Sequence, residues 1–175
     1  IWSMEVQTVG SELEALLLEA RLIRLCKPEF NIQMAVHERS AEMDPVRNFV
    51  LVLPSSEPDS LELFCIREAE PLEQARVRRD LSDWSGVSEQ IERLYFGEFG
   101  SEFGVPSSKF QVADAGLSEG DAADLETLKR WLAQRQQQVD CVDMDGAGRS
   151  EEALRVLGDY VRGCDLEGWE KVWRI

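Results

Sequence analysis

The chain has 175 residues, 19 Lys and Arg against 34 Asp and Glu, a net charge of −15, 43% hydrophobic residues and one histidine, His37. This supports one domain of ordinary size or two small ones. No apolar run approaches the ~20 residues of a membrane span, and a lone histidine argues against a multi-His metal site or a His-based triad. An acidic surface does not grip phosphate unaided. Acids outnumber bases by 8 to 5 in residues 1–48 and by 26 to 14 beyond, so the surplus lies mostly outside the first segment. The start is β-like rather than a basic segment followed by an apolar one, so no signal peptide is expected, and beginning at Ile1 rather than Met is expected of a piece of a longer protein. Cys26, Cys65, Cys141 and Cys164 are scattered without a C-x-x-C pair, which fits reduced, buried thiols of a cytoplasmic protein.

Residues 1–8 alternate, Trp2, Met4 and Val6 against Ser3, Glu5 and Gln7, and predict a half-buried strand. A helix over 12–26 follows. Ser11 is its N-cap, Glu14 completes a capping box, and Lys27-Pro28 ends it because a residue before proline avoids helical geometry. At about 100° per residue, Ala15, Leu16, Leu22 and Ile23 flank Glu19 within about 60°, while Glu14, Arg21 and Arg24 gather between roughly 140° and 220°. The first stripe is expected to face inward and the second to face solvent. A carboxylate aimed inward is costly unless paired, protonated or metal-bound, which makes Glu19 the candidate for chemistry. The alternative is a salt bridge to an Arg or Lys elsewhere.

A polar connection is expected over 32–47, then strands over 48–53 and 61–67 joined by a Pro- and Ser-rich loop. Residues 71–81 are expected to be helical and to gather Arg76, Arg78 and Arg79, either as a phosphate contact or as a solvated face. A short helix over 87–96 uses Ile91, Leu94 and Tyr95, and 97–120 is expected to be a connection. Asp121 is expected to cap a helix to about 137, with Leu125, Leu128 and Leu132 on one face. A strand over 139–144, a helix over 150–162 stopped by Gly163, and a last strand with Trp169, Trp173 and Ile175 complete the pattern. Asp140, Asp143 and Asp145 do not make an EF-hand, because Leu154 occupies the position of the required bidentate acid.

Ser11-Glu-x-Glu-Ala-Leu-Leu-Leu-Glu19, Leu22-Ile23 and Lys27-Pro28-x-Phe30-Asn31 together resemble the second half of a GIY-YIG nuclease module, closest to the type found in the excision-repair endonuclease (excinuclease). The resemblance implies that Glu19 holds one divalent cation, Mg2+ or Mn2+, that Asn31 supports the active site, and that the substrate is DNA. It also implies nucleotide excision repair, with other repair proteins as partners. Arg21, Arg24 and Lys27 are expected to add a modest positive field, or to be ordinary solvent-face charges. The hairpin bearing Gly-Ile-Tyr and Tyr-Ile-Gly does not occur here, and with it are missing the family's tyrosine and arginine. In a longer protein they would lie upstream of Ile1.

The expected fold class is α+β: a partial GIY-YIG nuclease module (strand plus helix) over 1–35, then an accessory α+β region over 36–175, divisible near 97–120. The fragment is not expected to be active without the missing hairpin. The alternative function is a non-catalytic acidic protein-interaction module that retains a nuclease remnant.

Overall fold

A computed structural model describes residues 3–28, 48–67, 70–97, 117–134, 139–145, 150–163 and 172–174. The fold is α+β. In chain order the elements are α1 (Glu12–Cys26), β1 (Phe49–Pro54), β2 (Ser60–Ile66), β3 (Glu73–Arg78), α2 (Trp84–Phe96), α3 (Glu119–Gln134), β4 (Asp140–Asp143), α4 (Ser150–Val161) and β5 (Val172–Arg174). The strands form one sheet in the order β3-β2-β1-β4-β5, and every neighbouring pair is antiparallel. The connection expected over 32–47, together with Trp2, Trp169 and Ile175, lies outside the described residues.

Helices cover both faces, so β1 is apolar throughout rather than alternating with polar residues, and β2 adds to its apolar residues the buried Ser60 and Glu62. β2 is buried along its whole length. Val50, Val52, Leu61, Leu63, Cys65 and Val77 pack against Val87 and Ile91 of α2 and Val156, Leu157 and Val161 of α4. On the opposite face Phe49, Leu51, Leu53, Phe64, Ile66 and Cys141 meet Leu13 and Leu17 of α1 and Leu128, Trp131 and Leu132 of α3. The two-residue strand period sorts consecutive side chains into these two cores. Of the thiols expected to be buried, Cys65 and Cys141 are, whereas Cys26 is exposed, and Cys164 lies outside the described residues. Among the described residues no helix is long and apolar enough to cross a membrane.

Two expected elements are not formed. Residues 71–81 are not helical; β3 occupies 73–78. Ala75 and Val77 point into the α2/α4 core, whereas Arg76 stands opposite Glu62 in the β2–β3 register. The two-residue period prevails over helix propensity because sheet pairing, not local preference, decides the segment. The three arginines consequently separate: Arg76 meets Glu57 and Glu62, Arg78 meets Asp80, and Arg79 lies beside Gly163. Their reading as one phosphate contact falls with the helix.

The strand expected over 1–8 is not formed among its described residues either. Residues 3–9 belong to no strand, and Met4 and Val6 are 83% and 74% exposed rather than inward. The sheet ends at β3 and β5, so no strand among the described residues pairs with this segment. Smaller differences concern caps. Ser118 Oγ, not Asp121, accepts the backbone N–H at the start of α3, from Asp121 N at 3.2 Å. Gly163 stops α4 with φ 74°. Asp145 accepts from Asn48 N and Nδ2, a strand-end turn of the kind the sequence pattern favours over calcium.

Candidate functional site

α1 starts as its sequence dictates. Ser11 is extended (φ −147°, ψ 165°) and its Oγ accepts from Glu14 N at 3.2 Å. The return half of the capping box is displaced by one residue, with Glu14 Oε2 accepting from Gly10 N at 2.5 Å. At the other end Lys27 adopts the left-handed conformation (φ 43°, ψ 58°) and donates its N–H to Ile23 O, a helix stop of the αL type.

The helix is rotated away from its expected orientation, although Leu16 still packs against the core. Leu13 and Leu17 are its buried residues, and they lie about 120–160° around the axis from Glu19. This is the edge of the stripe expected to face solvent. Glu19 is exposed. Together with Glu5, Gln7, Val9, Ala15, Leu18, Leu22, Ile23, Cys26 and Pro28 it lines an open groove of about 510 Å³ between residues 5–9 and α1. The four large hydrophobic residues exposed among those described, Met4, Val6, Leu22 and Leu25, all belong to this part of the chain. The inward alternative for Glu19, a structural ion pair, is not found: no basic side chain among the described residues pairs with it.

Arg21 and Arg24, expected to add a modest positive field or to be ordinary solvent-face charges, are instead engaged by a buried carboxylate. Arg21 Nε donates to Asp124 Oδ2 at 2.7 Å, and Arg24 donates to Asp124 Oδ1 at 2.6 Å. Asp124 lies on α3 and is 4% exposed. It occupies the buried stripe of α3 one turn before Leu128, where an apolar residue would ordinarily continue the core. The sequence carried this signal as an acid four residues before a predicted core leucine.

A second ionic seam ties the start of α1 to the sheet. Glu62, 1% exposed, accepts from Arg76 Nε at 2.5 Å, Ser55 Oγ at 2.8 Å and Gln74 Nε2 at 3.2 Å. Arg76 also meets Glu57 at 2.6 Å and Glu14 at 3.7 Å. Its guanidinium is held above its ordinary range, first by the hydrogen bond to Glu62. Gly10 sits directly over this group: a Cβ there would lie 1.9 Å from Glu62 Oε1. The loop after β1 holds the same point, with Ser56 N and Oγ donating to Gly10 O and Val9 O.

The donor chemistry of the groove suits a hard cation that keeps most of its water. Such an ion takes one or two carboxylates and needs solvent access, and the groove offers the exposed Glu19 with Glu5 on the facing segment. Among the described residues no group of three or more His, Cys, Asp or Glu side chains converges for a metal, so a cage of protein ligands is not what this surface provides. Asn31 lies outside the described residues. No protein-family profile, curated protein or solved structure matches the chain.

Proposed function

We propose that the chain is the metal-holding half of a GIY-YIG-type nuclease module joined to an α+β body, and that the whole protein cleaves DNA phosphodiesters in nucleotide excision repair. The observation that carries the reading is Glu19: an unpaired, water-accessible carboxylate on a rigid helix, standing over an apolar groove that the rest of α1 leaves open. A helix holds such a group more tightly than a loop would.

Glu19 is the residue that would hold the divalent cation, Mg2+ or Mn2+, with Glu5 as the second carboxylate of the groove. A bound cation there would supply charge neutralisation for a phosphodiester and its departing oxygen. Ala15, Leu18, Leu22 and Ile23 give the groove an apolar lining, which strengthens electrostatic interactions at its mouth once a partner surface excludes water. Asn31 is the proposed support of the local chain. The chain's acidity assigns the grip on DNA to the parts of the module absent from this sequence.

The test is Glu19→Gln in the full-length protein. Metal-dependent nicking of DNA is lost, while the melting temperature stays unchanged, because an exposed side chain without a partner contributes little to stability. Undiminished nicking by the variant overturns the reading. The exposure of Met4, Val6, Leu22 and Leu25 favours a second reading, a non-catalytic interaction module in which this apolar surface docks a protein. That reading predicts no nicking by the unsubstituted full-length protein, and partner association weakened by serine at Leu22 and Leu25.

A further inference from the structure

The two halves of α1 are held to the body by different forces. The first half buries Leu13 and Leu17 in the core shared with α3 and the sheet. From Leu18 to Cys26 no residue is buried. Among the described residues, the polar attachments of that half to the body are the hydrogen bonds of Arg21 and Arg24 to the two oxygens of Asp124. Arg21 and Arg24 lie three positions apart, on adjacent turns of the helix, so one carboxylate bridging both fixes the rotation of the helix about its axis as well as its distance from α3. Charge-assisted bonds to both oxygens of one carboxylate are directional in a way that apolar contact is not.

Glu19 lies in this weakly buried half. We propose that Asp124 is a positioning residue for Glu19: through Arg21 and Arg24, α3 sets the direction in which the carboxylate is presented to the groove. The proposal rests on the nuclease reading, and it gives the acidic α+β body a part in the chemistry beyond that of an appended domain. An ionic clamp accomplishes this where an apolar one would not, since an apolar residue at 124 would leave the helix free to roll. Displacement of a reacting group by ~1 Å costs up to about 100-fold in rate.

The experiment uses the full-length protein and compares Asp124→Asn, Asp124→Glu and Arg24→Gln with the unsubstituted chain and Glu19→Gln. Nicking of supercoiled plasmid is followed in saturating Mn2+, well below the melting temperature of each variant. Amide hydrogen exchange is measured on the same proteins without metal. Asp124→Asn is expected to slow nicking about 10- to 100-fold at saturating plasmid, with the half-saturating plasmid concentration unchanged. Exchange is expected to rise over residues 20–26 and to stay at its original level over 13–17. Asp124→Glu recovers part of the rate. Arg24→Gln, which leaves Asp124 paired to Arg21, serves where Asp124→Asn does not fold, and it shows the same pattern more weakly.

A fall in melting temperature with the nicking rate unchanged makes Asp124 merely structural and overturns the proposal. Unchanged exchange over 20–26 does the same. If Glu19→Gln nicks like the unsubstituted chain, or if that chain does not nick, the nuclease reading falls and the proposal falls with it. If Glu19→Gln is inactive and Asp124→Asn fully active, the positioning proposal alone falls.

Discussion

The sheet is closed on its two faces by different physics. On the α2/α4 face the centre is apolar, and hydrogen bonds tie its margins: the Tyr95 hydroxyl lies 2.7 and 3.0 Å from the carbonyl oxygens of the paired residues Phe49 and Ile66, Gln90 donates to Glu73, Arg67 to Leu94 O and Tyr160 to Asp140. On the α1/α3 face an apolar centre is bounded by two ionic seams, Arg76 with Glu62 and Glu57, and Arg21 with Arg24 on Asp124. In a chain with 34 acidic and 19 basic residues, three arginines are committed to attaching one helix. The lesson is that α2 and α4 are held chiefly by burial, which is non-directional, with hydrogen bonds at the margins, whereas the second half of α1 has no buried residue and is held by ion pairs. The helix that carries Glu19 is the one whose orientation depends on named charges.

The sharpest way to break this contrast is to orphan the buried acid. In Arg21→Ala combined with Arg24→Ala, Asp124 remains in the interior without a partner, and removing the partner of a buried charge costs about 3–5 kcal/mol. The reverse change, Asp124→Ala, releases two arginines whose side chains are already 53% and 35% exposed, so they recover water and the loss is smaller, about 1–2 kcal/mol. Urea denaturation of the two variants measures the difference. Equal losses would mean that the clamp is a surface pair of little consequence.

A glycine on each side of the sheet sharpens the comparison further. At Gly10 an added Cβ would meet Glu62 Oε1 at 1.9 Å and Arg76 at 2.6 Å. Glu62 cannot swing aside, because Arg76, Ser55 and Gln74 all hold it. Gly10→Ala is therefore expected to cost about 1–3 kcal/mol as an overpacked site. At Gly86 in α2 nothing lies within 4 Å of the added atom, and Gly86→Ala is expected to stabilise by about 0.5–1 kcal/mol, the ordinary gain in a helix. Thermal melting of both variants checks the opposite signs.

How much of this is legible in the sequence depends on whether a position answers to local or to long-range forces. β1, β2, α2 and α4 are readable because each carries a continuous apolar run or a clean helical stripe, and the same stripe identifies the buried Leu128 and Leu132 of α3. β3 is not, because its two inward residues, Ala75 and Val77, are small and its arginines imitate a helix face; only the sheet neighbour reveals the period. α1 itself is legible to its caps, but its orientation is not. Leucines surround so much of its circumference that periodicity alone does not choose between the Leu13–Leu17 face and the Leu22–Ile23 face. The face that is buried is the Leu13–Leu17 one, and with it Arg21 and Arg24 reach Asp124, about a hundred residues away in sequence. The residue singled out for chemistry, Glu19, thus keeps its interest for a reason opposite to the expected one, since it is open to solvent where burial is anticipated.

Two buried thiols on opposite sides of the sheet, Cys65 and Cys141, probe both faces at once. Cys65 belongs to the α2/α4 core and Cys141 to the α1/α3 core. Burial pushes both thiols up from 9.0 to about 12, with the charge of Glu73 adding to the first and that of Asp140 to the second. Above pH 9 the unfolded chain releases these protons while the folded chain keeps them. Stability is therefore complete below pH 9 and falls by about 1.4 kcal/mol per pH unit per thiol as the pH rises toward 12. Urea midpoints at pH 8, 9 and 10 give the slope, and Cys65→Ala and Cys141→Ala each remove one share of it. Alkylation then separates the faces. Exposed Cys26 reacts first in either case, but raising the salt to ~1 M screens the partly exposed arginines of the α1 seams and leaves apolar contact intact or stronger. Labelling of Cys141 is thus expected to accelerate about two- to threefold at high salt while that of Cys65 does not. Equal acceleration at the two thiols would mean that both faces open together, and that α1 is held no differently from the helices across the sheet.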